Sequence, residues 1–167
     1  MLNEIGGFDE DFFLYCEDTD LGLRARWAGW KCLYAPRAIV DHHYSHTAGR
    51  ATPLKAYYVE RNRLFVLLKN FPAANLPAAP FISLVRYGWH FYFLLRGRGA
   101  AAQFREDGAG GLRLAALVVR AHGSLLWNWN SLRIKRRMIR QTARLTPQAF
   151  RELLRAHAIG ARQVAEL

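Results

Sequence analysis

The chain has 167 residues, of which 51% are hydrophobic and 13% aromatic; this excludes an intrinsically disordered segment and allows one modest domain with a real core, or a piece of something larger. The formal net charge of +11 is uneven, because residues 1–50 hold eight acids (Glu4, Asp9, Glu10, Asp11, Glu17, Asp18, Asp20, Asp41) against five bases, whereas residues 51–167 hold five acids against nineteen bases. Such asymmetry marks different partners for the two halves, and a basic half rich in Trp, Tyr, Phe and Leu suits an anionic membrane surface or nucleic acid.

Taken in chain order, "MLNEIGGFDEDFF" has neither the basic start nor the apolar run of a signal peptide, so none is expected. "GGFDEDFFLY" reads as a Gly-led loop running into an aromatic stretch. "EDTDLGLRARWAGW" then predicts a short helix, with Asp18 or Thr19 capping its start, Leu21, Ala25 and Ala28 on one apolar face, and Gly29 ending it. "KCLYAP" predicts a brief strand stopped by Pro36, and "AIVDHH" a second one. Loop, helix, strand and strand in so few residues predict the closing edge of an α/β domain, whose main strand-helix repeat is expected before Met1. Cys16 and Cys32 fit neither a zinc knuckle nor a redox pair and read as reduced thiols.

The second half reads as helical. "PLKAYYVERNRLFVLLKNFP" carries apolar residues at helical spacing and stops at Pro72. "LPAAPFISLVRYGWHFYFLL" is about as long as a membrane span, but Arg86 and His90 sit inside it, and a charge near a bilayer centre costs roughly 2.5–3.5 kcal/mol on insertion scales. "LRLAALVVRAHGSLLWNW" has the same defect at Arg113 and Arg120. Apolar helices with basic edges and Trp89, Trp127 and Trp129 predict an interfacial location rather than a spanning one, with ordinary packing on a neighbouring domain as the alternative. "RIKRRMIRQTAR" adds six bases, an attraction for anionic headgroups; nucleic acid is not expected, because no recognisable nucleic-acid module accompanies the run.

Chemistry concentrates at two places. Asp18 precedes His42 by twenty-four residues, and the elements between them could return the chain to one edge. There a carboxylate could take a proton from an attacking hydroxyl, and an imidazole could complete the shell of Mg²⁺ or Mn²⁺. "HHYSH" offers His42, His43 and His46 as an alternative zinc site, although no Cys partners them nearby. An EF-hand is excluded by the Gly and acid spacing.

The stretch "IGGFDEDFFLYCEDTDLGLRARWAGWKCLYAPRAIVDHHYSHTAGR" closely resembles the C-terminal part of the catalytic domain of family 2 glycosyltransferases, nearest to bacterial rhamnosyltransferase-type enzymes. The resemblance continues through "YYVERNRLFVLLKNFP" and more loosely to "RIKRRMIRQT". It implies an α/β fold of GT-A type, with residues 1–50 as the acceptor side of the catalytic domain and 51–167 as a basic, amphipathic, membrane-associating helical region. It implies that Asp18 is the general base, that Glu17 shapes the site, and that Asp20 caps the helix. His42 then binds the divalent metal, Mg²⁺ or Mn²⁺, with His43 as the adjacent fallback. Trp27, Arg61 and Asn62 match family positions and join Asp20 as substrate-binding candidates. The implied reaction is inverting transfer of a sugar, rhamnose by family analogy, from a nucleotide-diphosphate donor to a lipid-linked or glycan acceptor in cell-surface glycan synthesis. The expected location is peripheral, on the cytoplasmic face of the inner membrane. No counterpart of the family's donor-binding half with its DxD motif is legible, so the chain is expected to be a fragment, inactive alone. A non-catalytic peripheral membrane module is the alternative.

Overall fold

The computed structural model describes residues 1–41, 52–99, 102 and 111–166. The helices are α1 (Leu2–Ile5), α2 (Glu17–Trp27), α3 (Pro53–Asn70), α4 (Ala79–Leu95), α5 (Gly111–Trp127), α6 (Trp129–Gln141), α7 (Pro147–Ala156) and α8 (Ala161–Glu166), with 3-10 turns at Glu10–Phe12 and Ala73–Ala78.

There is no strand among the described residues, and this overturns the α/β, GT-A-type expectation. Residues 31–41 run as irregular chain, with Leu33, Tyr34, Ile39 and Val40 exposed at 84, 89, 87 and 81%. Alternating apolar residues become a strand only where a neighbouring strand takes up their N–H and C=O groups and an apolar layer covers one face. Two short segments broken at Pro36 make at most an isolated hairpin, which is marginal in water. His42 and His43, the end of the second predicted strand, lie outside the described residues.

The predicted helices form, although α2 starts at Glu17 with Cys16 as its N-cap, so Asp18 and Thr19 lie inside the helix and neither caps it. Other ends are chemically marked. Gly29 ends α2 at φ 82, and Trp30 N donates to Ala25 O at 2.9 Å, closing the last turn. In α3 the Thr52 hydroxyl accepts from Lys55 N at 3.3 Å and Pro53 follows it at the first position; Thr146 and Pro147 start α7 in the same way, with Ala149 N donating at 3.2 Å.

Helix α3 is the hub, packed by α2, α5 and α6, while α8 covers α4. One core cluster joins Phe12, Phe65, Val66 and Leu132. A second joins Trp27, Ile139 and Phe150, where the Trp27 and Phe150 rings stack at 3.9 Å and 9°. Full burial of each such side chain contributes about 1.5–3 kcal/mol. Together these clusters fasten the "GGFDEDFF…GW" segment to helices from the far end of the chain. No helix among the described residues is long and apolar enough to cross a membrane. Helices α4 and α5 nevertheless present exposed apolar stripes, Phe81, Leu84, Phe91 and Leu95 on one, and Leu112, Val119 and Leu126 on the other.

Candidate active site

The segment that delivers Glu17 and Asp18 is a strained turn. Phe13, Tyr15 and Cys16 hold φ of 58, 67 and 65°, the left-handed region that non-glycine residues enter at a cost of about 1–3 kcal/mol each. The side-chain amide of Asn62, buried in α3, holds this backbone. Its Nδ2 donates to the carbonyls of Phe12, Leu14 and Tyr15 at 2.7, 2.6 and 2.9 Å. Arg61 Nη2 donates to Asp11 O at 2.7 Å, and its guanidinium lies 4.4 Å over the Phe65 ring. Phe12 anchors the turn from below, edge-on to Phe65 at 6.3 Å. Asn62 and Arg61 therefore position the turn through its backbone.

Helix α2 starts directly after the turn, with Cys16 as its N-cap and no side chain capping it. Asp18 lies exposed in the first turn, and its Oδ1 accepts from Thr19 N at 2.6 Å and Thr19 Oγ1 at 3.3 Å. Glu17 is half-buried, and its Oε2 has no hydrogen-bond partner among the described residues. Burial, with the charges of Asp18 and Glu17 beside it, pushes the Cys16 thiol up to about 11. An open groove of about 490 Å³ begins at Thr19 and runs past Gly22, Arg26 and Cys32 to His157.

Three other acids of the segment, Asp9, Asp11 and Asp20, are committed to the fold, while Glu10 stays exposed. Asp20 does not cap α2; it is fully buried, accepting from Arg24 Nε, Asn70 Nδ2 and Lys69 Nζ, each at 2.8 Å. Lys69 bridges onward to Asp9 at 2.5 Å, and Lys135 of α6 pairs with Asp9 at 2.5 Å and also with Asp11. Burial raises the Asp9 carboxyl, but hydrogen bonds from Lys135 and Lys69 outweigh it and bring the value to about 2. Arg24 donates to the carbonyls of Ile5 and Gly7 at 2.6 Å each, tying down the Gly-led loop. Trp27 is 1% exposed, with Phe150 on one face, the Arg140 guanidinium 3.6 Å from the ring on the other, and Nε1 donating to Asn70 O at 2.8 Å. It is a packing position.

The described residues contain no group of three His, Cys, Asp or Glu able to hold a metal ion. The unpartnered Glu17 Oε2 is one oxygen that could turn to a cation, but adjacent helix positions point apart, so Glu17 and Asp18 do not form a shell by themselves. His42, His43 and His46 lie outside the described residues.

The N-acetylglucosaminyl-diphospho-decaprenol L-rhamnosyltransferase of Mycobacterium tuberculosis (strain ATCC 25618 / H37Rv) is 49% identical to this chain over 59 residues, 34% of the chain and 19% of that enzyme. Rhamnosyltransferase WbbL of Escherichia coli (strain K12) is 43% identical over 53 residues, 32% of the chain and 20% of that protein. Part of this chain is related to glycosyltransferases. The chain spans about a fifth of the length of the curated relatives it matches. No family model and no solved structure matches it.

A polar cluster that sequence reasoning did not assemble lies between α3 and α4. Glu60 of α3 is buried and accepts from Arg63 Nη2 at 2.7 Å, from Arg86 Nη2 and from Tyr87 Oη, while Arg86 Nη1 lies 3.1 Å from His90 Nε2. Burial raises the Glu60 carboxyl, but Arg63 and Arg86 outweigh it and hold it at about 2; burial and then Arg86 push the His90 imidazole down. The signal was present in "ERNR" and in the Arg86–His90 spacing. These charges were legible as a bar to spanning a membrane, but not as partners of Glu60.

Proposed function

We propose that this chain is the acceptor-side part of an inverting family 2 glycosyltransferase, with Asp18 as the general base. One observation carries the reading: where Asp9, Asp11 and Asp20 are tied into ion pairs, Asp18 is exposed and bonded only to its neighbour Thr19. It follows directly on a clamped turn strained at Phe13, Tyr15 and Cys16, and backbone strain of this kind clusters at functional sites. A first-turn position also places a negative charge at the favourable end of the helix dipole.

The chemistry follows from one carboxylate. The acceptor hydroxyl oxygen forms a bond to the anomeric carbon from the face opposite the leaving group. Its proton passes to Asp18, and the bond from that carbon to the nucleoside diphosphate breaks, the diphosphate leaving with the electron pair. The named relatives supply the substrate class: a sugar such as rhamnose, and a lipid-diphosphate acceptor of the kind printed in the mycobacterial enzyme's name. A divalent cation, Mg²⁺ or Mn²⁺, belongs to the proposal through His42, and when bound would neutralise charge on the leaving diphosphate.

The helical remainder is proposed to hold the chain peripherally on the cytoplasmic face of the inner membrane. The exposed stripes of α4 and α5, flanked by arginines, match an anionic lipid surface in both apolarity and charge. The same surface alone would support a non-catalytic membrane module.

The test is sugar transfer by the polypeptide at the length found in its source cell, comparing wild type with Asp18→Asn. The expected outcome is a loss of about 10²–10⁴-fold in transfer with vesicle binding and circular dichroism unchanged. Unchanged transfer by Asp18→Asn refutes the assignment. Vesicle binding without transfer by either protein favours the non-catalytic module.

A further inference from the structure

Helix α6 places Arg133, Arg136, Arg137 and Arg140 on one face, and with Gln141 they line a groove of about 530 Å³. None of the four pairs with a carboxylate among the described residues. The inner two are held rigidly. Arg136 Nη1 donates to Leu68 O at 2.6 Å; Arg140 Nη2 donates to Asn70 O and Phe71 O at 2.9 and 3.2 Å, with its guanidinium carbon 3.6 Å from the Trp27 ring centre. These bonds satisfy the last carbonyls of α3, a structural role that accounts for one arm of each guanidinium. It leaves Arg140 Nη1 buried without a partner, and it leaves Arg133 and Arg137 exposed. Burial, and then the neighbouring Arg136, push Arg140 down to about 10. Arg140 Nη1 is sealed from solvent, so what the groove offers an anion is the exposed guanidinium groups of Arg133 and Arg137, backed by the fixed charge of Arg136 and Arg140.

We propose that this face binds the phosphate of a lipid headgroup, with a diphosphate as the best-fitting form. Guanidinium forks match phosphate oxygens in pairs; exposed Arg133 and Arg137 supply the free forks, while Arg136 and Arg140, ordered by their backbone bonds, hold their charge in place beside them. Arg133 to Arg140 spans roughly 10 Å along the helix axis, more than one phosphate requires. The lipid source follows from the flanking surface. Trp129, one turn before Arg133 on the same face of α6 and under its guanidinium at 5.9 Å, and Trp127 at the end of α5 are exposed aromatic side chains suited to headgroup depth when the arginines meet phosphate. Nucleic acid is the poorer fit, because the basic run of α6 is accompanied by no recognisable nucleic-acid module. The inference rests on the membrane-docking part of the proposed function for its lipid source, and needs no transfer activity.

The experiment uses the whole chain, an Arg133→Gln/Arg137→Gln variant, and a charge-matched Arg151→Gln/Arg155→Gln control. Inorganic pyrophosphate is titrated by calorimetry, and flotation is measured on neutral vesicles doped with phosphatidic acid or, at equal surface charge, with oleate. The α6 pair should weaken pyrophosphate binding about tenfold or more and abolish the preference for phosphatidic acid over oleate, while the α7 pair changes neither. Equal losses from both pairs would show diffuse charge attraction and overturn the site. Pyrophosphate binding with no flotation on either vesicle overturns the lipid source together with the membrane reading. Displacement of pyrophosphate by a single-stranded oligonucleotide at matched phosphate concentration replaces the lipid with nucleic acid and equally overturns it.

Discussion

Replacing Asn62 by alanine tests whether one amide holds the turn that presents Glu17 and Asp18. Nδ2 reaches three carbonyls at 2.6–2.9 Å but carries two hydrogens, so two full bonds are at stake. Each contributes about 0.5–1.5 kcal/mol net, and a buried carbonyl left unpaired costs about 1–3 kcal/mol. The sum would approach 5 kcal/mol if the backbone stayed in place. It will not stay entirely, because Phe13, Tyr15 and Cys16 recover left-handed strain by relaxing once the clamp is gone. The expected loss is therefore about 2–4 kcal/mol in urea unfolding at pH 7, followed by circular dichroism. Amide exchange over residues 13–19 should accelerate before the rest of the chain. Asn62→Asp should be as damaging when ionised, since it has the shape but no donor. A loss below about 1 kcal/mol with exchange unchanged would show that the turn holds itself, and that its strain says nothing about Asp18.

Further expectations concern the charge clusters and the thiols. Lys69→Met strips the bridge between Asp9 and Asp20 and should cost about 3–5 kcal/mol, whereas Lys135→Met, at a side chain 29% exposed, should cost about 1 kcal/mol or less; equal costs in urea melts would contradict the buried bridge. Glu60 and Asp9 have folded values of about 2 against ordinary values of 4.5 and 3.8, so their stabilisation is present above those ordinary values and drains away as pH falls towards 2. For Glu60 the shift corresponds to about 3 kcal/mol, and thermal melts between pH 5 and 2 should flatten in Glu60→Gln; a slope identical to wild type would remove Glu60 from the account. At pH 8 iodoacetamide should label exposed Cys32 well before Cys16, whose thiol sits near 11; equal labelling rates would mean the turn opens freely.

Several helix ends were legible in the sequence because their chemistry is local, but the start of α2 was not, since Cys16 at a left-handed φ, and neither Asp18 nor Thr19, is its N-cap. Gly29 closes α2, and Thr52–Pro53 and Pro72 bracket α3, each by a contact within a few residues. The strands were misread for the opposite reason. Alternation at residues 31–41 is a local pattern, but a strand exists only through a partner elsewhere, and among the described residues those side chains stay in solvent. The site splits the same way. Asp18 stood out by its motif, but nothing local could show that Asp20, two residues on, would be consumed by Lys69 and Asn70, fifty positions away. Nor could it show that Trp27 would be covered by Phe150 and Arg140.

The charge asymmetry has a structural consequence that bears on both proposals. Composition suggested two halves with different partners, yet Asp9, Asp11 and Asp20 from the first half pair with Lys69 and Lys135 from the second, and Glu4 pairs with Arg144. The acidic half thus spends much of its charge holding the basic half. What this pairing leaves over is informative at each end of α2. At its start the uncommitted charge is negative, on Glu17 and Asp18. Beyond its end, across Trp27, the uncommitted charge is positive, on the arginine face of α6. A helix of eleven residues separates the two by roughly 16 Å. An acceptor anchored by a headgroup phosphate at one end and deprotonated at the other would need to bridge that span. The arginine face is therefore better suited to fixing the protein on the lipid surface than to gripping the reacting molecule itself. Under the proposed transferase reading, loss of Arg133 and Arg137 lowers transfer on vesicles while sparing transfer to a detergent-soluble acceptor; equal losses on both would place the arginine face at the acceptor itself.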